Sequence, residues 1–155
     1  METAGQLAPV APLDAWAPRA NRVGAYVHVP FCTKRSGYCS FNTAPYVEAA
    51  VPRFLRALDA EIAFAGAAPW AAGVRLHTVF LGGGTPSLLA PDELAGVLDA
   101  LRGRFGLEPG AEITVECNPE SVSAARFAGY RAAGVTRISL GVQSLDDRVL
   151  PALDR

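Results

Sequence analysis

Two cysteines seven positions apart, Cys32 and Cys39, are the residues of this chain best suited to chemistry. They sit in Tyr26-Val-His-Val-Pro-Phe-Cys-Thr-Lys-Arg-Ser-Gly-Tyr-Cys-Ser-Phe41, directly after a β-branched run. Asp14 falls where a secretory signal needs an unbroken apolar core, so the cysteines read as residents of a reducing compartment. The cytoplasm is the expected location. In such a compartment a close pair holds metal or reacts rather than forming a disulfide, because the thiolate is a soft metal ligand and a nucleophile. Taken alone, a C-x6-C spacing reads rather as two ordinary buried thiols.

Three further features could join them. Leu81-Gly-Gly-Gly-Thr-Pro-Ser-Leu88 places a glycine triplet after an apolar run. Without a following Lys-Ser/Thr it is no phosphate-binding P-loop, which leaves a plain turn or a backbone that a ligand approaches closely. Glu116 and Gln143 each stand near the end of a β-branched run, where parallel βα folds build their sites. Cys117 alternates onto the opposite, aliphatic side from Glu116 and reads as a small buried apolar residue.

The elements that must position these groups follow from periodicity. Strands are predicted at Val23–Val29, Leu76–Leu81, Glu112–Cys117 and Arg137–Val142. Helices are predicted at Val47–Ala65, Pro91–Phe105 and Ser121–Ala133, with a fourth starting near Leu145. Gly106 and Gly134 fall where helix ends take glycine. Alternating strand and helix imply parallel βα units, in a barrel or a doubly wound sheet. Within the strands one face is aliphatic and the other polar or small: Tyr26 and His28 oppose Val27 and Val29, Thr114 and Glu116 oppose Ile113 and Val115, Ser139, Gly141 and Gln143 oppose Ile138, Leu140 and Val142. A sheet covered on both faces would be apolar throughout. An open barrel resolves the pattern, its aliphatic face toward the helices and its polar face lining a ligand cavity. Segment 1–21, rich in Ala and Pro, reads as a disordered lead-in, and 22–155 as an incomplete core domain.

Composition excludes two classes. The single lysine and thirteen arginines are dispersed and the net charge is −1, which gives no footprint for nucleic acid. No run approaches the ~20 apolar residues of a membrane span.

The words around the cysteines resemble those of the radical S-adenosylmethionine (SAM) family. That family's loop has the pattern C-x3-C-x2-C, and the flanking Y-x-H-x-P-F-C and Y-C-x-F are similar to its HemW-type haem chaperones and oxygen-independent coproporphyrinogen III oxidases. The resemblance implies the first four βα units of an open, partial (β/α) barrel of TIM-like type, stopping before closure. It implies a [4Fe–4S] cluster on three cysteines, whose open iron SAM chelates. Cys32 and Cys39 match two ligands, and Ser36 holds the third position. Serine is a harder and less acidic donor, so the cluster should be held poorly or form incompletely. By the same resemblance Gly84, Thr85, Pro86, Glu116 and Gln143 contact SAM, joined by Tyr26, Tyr38 and Arg155. His28 and His77 are read as structural. The oxidases usually carry a further cysteine where this chain has Phe41, which points to a HemW-like haem chaperone. Its partners would be SAM, haem or porphyrin bound with the help of more C-terminal sequence, and a haem-acceptor protein. The alternatives are a coproporphyrinogen oxidase and an inactive product.

Overall fold

The computed structural model describes residues 22–153. The lead-in and Arg155 named above lie outside the described residues. The elements are β1 (Val23–Val29), a short pair β2 (Phe31–Cys32) and β3 (Ala44–Pro45), α1 (Val51–Gly66), β4 (Leu76–Gly83), α2 (Pro91–Phe105), β5 (Leu107–Cys117), α3 (Ala124–Ala133) and β6 (Arg137–Leu140).

The four longer strands form one parallel sheet in the order β1-β4-β5-β6. Each βα unit therefore adds its strand beside the last, without the reversal of order that defines a doubly wound sheet. This is the barrel-like alternative. The helices pack in sequence, α1 on α2 and α2 on α3. Val27, Val29, Val79, Leu81, Ile113 and Val115 are buried beneath them, against Ile62, Leu94, Leu98 and Leu101. Each such side chain contributes roughly 1.5–3 kcal/mol relative to exposure. Register fixes the opposite face in rows across the sheet. Tyr26, Phe80, Thr114 and Arg137 form one row, and His28, Gly82, Glu116 and Ser139 the next toward the strands' C-terminal ends. Alternation along each strand thus becomes a shared polar surface, as the sequence pattern predicts.

Several boundaries shift for local reasons. The first regular helix begins at Val51 rather than Val47, after a 3₁₀ turn at Glu48–Ala50, with Pro52 in its first turn where a missing N–H costs nothing. The third begins at Ala124 rather than Ser121, because Ser123 is the N-cap and its hydroxyl accepts the Arg126 N–H at 3.2 Å. β5 starts five residues before Glu112, interrupted by an irregularity around Gly110, whose φ is +76°. β4 runs on to Gly83.

The predicted fourth helix and the end of the predicted fourth strand are corrected. β6 ends at Leu140, and Val142 N–H to Leu140 C=O and Ser144 N–H to Val142 C=O close two successive tight turns. Leu145 precedes a turn in which Asp146 accepts the Arg148 N–H at 2.9 Å, and among the described residues only a 3₁₀ turn, Leu150–Leu153, follows. Pro151 disfavours α geometry at the residue before it. Among the described residues nothing covers the outer side of β6, so Ile138 and Leu140 are exposed.

Candidate functional site

The loop between β2 and β3 folds over the C-terminal ends of β4, β5 and β6. Between them lies a cavity of about 170 Å³. One wall carries Cys32, Ser36, Tyr38 and Cys39; another carries Gly84, Thr85 and Pro86; Glu116 and Gln143 close the far side. Separate stretches of sequence meet here because parallel βα units bring all C-terminal strand ends to one edge.

The cysteine loop is anchored at several points. Ala44 N–H bonds to Pro30 C=O and Tyr46 N–H to Cys32 C=O, each at 2.8 Å. Cys39 N–H closes a turn on the Ser36 carbonyl at 3.0 Å, and the Arg35 guanidinium reaches the Cys39 carbonyl at 3.2 Å. His28 holds the loop from the sheet: Nε2 donates to Asn42 C=O at 2.8 Å, and Nδ1 accepts from the Tyr26 hydroxyl at 3.2 Å. His77 donates to Val23 C=O at 2.9 Å and joins β4 to the start of β1. Both histidines are satisfied within the protein, as expected.

The glycine triplet has a physical reason beyond ligand access. A Cβ on Gly84 would lie 2.6 Å from the Phe31 carbonyl oxygen and 2.7 Å from that of Pro30. On Gly83 it would meet the His28 ring at 2.7 Å, and on Gly82 the Glu116 carboxylate at 2.9 Å. The protein's own backbone and site side chains fill those spaces. The N–H groups are also engaged: Gly83 donates to Glu116 Oε2 at 3.2 Å, Gly84 to Val29 C=O at 2.8 Å and Thr85 to Phe31 C=O at 2.7 Å. A ligand reaching this backbone would therefore meet carbonyl oxygens.

Tyr26 does not line the cavity. It lies one row lower on the same face, stacked on Phe80 at 6.0 Å. Burial, with the Glu116 carboxylate nearby, raises its phenol pKa. Of the SAM contacts the resemblance implies, Tyr38, Gly84, Thr85, Pro86, Glu116 and Gln143 line the cavity and Tyr26 stands one row away. Gln143 reaches the cavity from the loop rather than from a strand, with φ +68°. A left-handed backbone at a residue with a side chain costs on the order of 1–3 kcal/mol and persists where the surroundings impose it. Parity in β6 also accounts for Ser139 in the lining, and Gly141 joins it just past the strand's end. Lys34, Arg35 and Asn118 line it too, but they lie in loops where no periodicity signals them.

Cys117 borders the cavity, yet its Sγ donates to the Val115 carbonyl at 3.8 Å on the helix side. Burial pushes its thiol up to about 11. Its thiol is thus engaged with its own strand rather than with Cys32 or Cys39. Thr85 Oγ1 reaches Cys32 Sγ at 3.7 Å, tying the glycine turn to the first cysteine.

A family model described as the radical SAM superfamily matches residues 26–155. The chain belongs to that superfamily. Over 135 residues it is 52% identical to the heme chaperone HemW of Mycobacterium tuberculosis, an alignment covering 85% of this chain and 34% of that protein. The HemW of Escherichia coli K12 is 41% identical over 84% of this chain and 34% of its own. An oxygen-independent coproporphyrinogen III oxidase of Bradyrhizobium diazoefficiens is 34% identical over 99% and 35%. The solved coproporphyrinogen III oxidase (HemN) of E. coli, described as a radical SAM enzyme, superposes with a TM-score of 0.81 at 31% identity, covering 92% of this chain and 33% of that one. The chain thus spans about a third of the length of these relatives.

Radical SAM proteins in general use SAM and an iron–sulfur cluster. The donor set here falls short of the cluster: two thiols and the Ser36 hydroxyl face the loop, and among the described residues no three His, Cys, Asp or Glu side chains gather as metal ligands. The fit to SAM is better, since the Glu116 carboxylate, the Gly84 backbone and the Gln143 amide converge. No helix among the described residues is long and apolar enough to cross a membrane.

Proposed function

We propose that this chain is the SAM-binding portion of a HemW-like haem chaperone, working in the cytoplasm and delivering haem to an acceptor protein. The observation that carries the SAM reading is the meeting of Gly84–Pro86, Glu116 and Gln143 with the cysteine loop at one cavity. Its volume, about 170 Å³, is below the ~300 Å³ at which pockets for whole small molecules begin. It takes one end of SAM, and the remainder extends over the polar face of β5 and β6. The Glu116 carboxylate suits the ammonium of the amino acid end, a charge-assisted bond in a partly dry setting. Turn carbonyls supply further acceptors, and the Gln143 amide both donates and accepts.

Phe41, where the oxidases usually carry cysteine, favours the chaperone, as does the higher identity to the HemW proteins. The HemN superposition favours the enzymatic alternative, a coproporphyrinogen III oxidase. Ser36 favours a member that holds its cluster weakly or has lost it. The cluster positions would be Cys32 and Cys39, with Ser36 at the deficient corner.

Equilibrium dialysis with labelled SAM tests the binding site. Glu116→Gln removes a charged partner and should weaken binding roughly 10- to 100-fold, the worth of a hydrogen bond to a charged group. Equal affinity in both proteins would remove Glu116 from the site and the reading with it. Iron and acid-labile sulfide after anaerobic reconstitution test the cluster position: Ser36→Cys should raise both well above the parent. Equal, near-stoichiometric loading would show that serine already suffices.

A further inference from the structure

We propose that Arg126 and Tyr130 of α3 are positioning residues for the cavity, holding the turn that carries Thr85 and Pro86 in register with the strand end that carries Glu116. The proposal rests on the SAM reading above. Arg126 and Tyr130 are one helical turn apart, so their side chains share a face. Both reach across to the same two carbonyls of the turn after β4. Arg126 Nη1 donates to Ser87 C=O at 2.9 Å and to Leu89 C=O at 2.8 Å. The Tyr130 hydroxyl lies 3.1 Å from the first and 2.8 Å from the second. Tyr130, Ser87 and Leu89 are each 0% exposed. Water therefore cannot replace a lost donor there, and an orphaned buried carbonyl carries a desolvation cost.

Ser87 extends the grip to the neighbouring loop. Its hydroxyl accepts the Asn118 N–H at 3.1 Å, two residues beyond Glu116, and pairs with the Ser121 hydroxyl. Ser121 in turn donates to Asn118 C=O at 2.8 Å. That leaves one consistent direction for the protons: Ser121 gives its own to Asn118, and Ser87 gives its own to Ser121. On the cavity side, Thr85 and Pro86 line one wall and Asn118 another, and Thr85 contacts Cys32. This partly buried network behind the wall thus ties the glycine turn to the strand end that carries Glu116.

The test uses the 155-residue chain with Tyr130→Phe, which removes one oxygen, and Arg126→Lys, which keeps the charge but loses the paired N–H geometry. Two readouts are taken. Amide hydrogen exchange is followed by mass spectrometry in segments 83–90 and 117–122, with β1 and α1 as internal references. SAM affinity is measured by equilibrium dialysis. Positioning predicts faster exchange in both segments with the references unchanged, and roughly tenfold weaker SAM binding from one lost buried hydrogen bond. Exchange that rises throughout the chain, or in neither segment, overturns the proposal. So does SAM affinity equal to the parent's despite local loosening, since the network would then be a structural tie alone. If the parent itself binds no SAM, the SAM reading has failed and the positioning role falls with it, a result distinct from tight parental binding that Tyr130→Phe leaves unmoved.

Discussion

Replacing Gly84 by alanine tests whether the protein's own packing, rather than ligand access alone, dictates the glycine triplet. Gly84 has no left-handed backbone to lose, so the effect comes from the added methyl group. That carbon would lie 2.6 Å from Phe31 O, 2.7 Å from Pro30 O and 2.8 Å from Pro30 C. All three are backbone atoms of the chain entering Cys32, held by β2–β3 pairing and by the Gly84 and Thr85 N–H bonds. They cannot swing aside as a flexible side chain would. Overpacking of this kind costs about 1–3 kcal/mol, and alanine returns about 0.4–1 kcal/mol by stiffening the unfolded chain. A net loss of up to about 2.6 kcal/mol follows, toward the upper end because fixed backbone atoms block the methyl, or a drop in Tm of up to roughly 10 °C at 2–4 °C per kcal/mol. Gly96 is the matched control. It is an exposed position inside α2 with nothing within 4 Å of a Cβ, so Gly96→Ala should gain up to about 1 kcal/mol of helix propensity. Thermal unfolding by circular dichroism, at one protein concentration and without SAM, reads both. Gly84→Ala unfolding at or above the parent's temperature, or Gly96→Ala falling with it, would refute the packing explanation.

Cys117 should react last with a thiol reagent in the native chain, well after Cys32 and Cys39, because its thiol is buried and held at about 11. Burial raises its folded pKa above the ordinary 9.0, so the unfolded state loses the proton first and stability should fall as pH rises from about 9 to 11, a fall that Cys117→Ala should abolish; equal reactivity of all three cysteines would contradict this. Among the described residues β6 is an unpaired edge beside the exposed Ile138 and Leu140, so the 155-residue chain should self-associate at micromolar concentration in sedimentation velocity, and Leu140→Lys should reduce it. A monodisperse monomer would show that the edge is covered.

Much of this fold was legible because two signals are local. The period of two in β1, β5 and β6 reports which residues share a face, and that assignment needs no knowledge of neighbours. It placed Glu116 with Ser139 and apart from Cys117, as register then showed. The cysteine loop and the glycine triplet were legible as compact motifs. The sequence could not reveal the depth at which a same-face residue sits, which depends on register between strands. Tyr26 therefore reads as a cavity residue, yet pairing with Phe80 puts it one row below. Gln143 does line the cavity, but from the loop beyond Leu140, where two tight turns replace the strand the periodicity predicts. The largest omission is the Ser87–Arg126–Tyr130 network. Its members lie on a turn and a helix 39 to 43 positions apart, joined by hydrogen bonds to backbone carbonyls, which carry no residue identity. Side-chain type and spacing encode faces and motifs; contacts made to the main chain across elements exist only once the sheet has set where those elements meet.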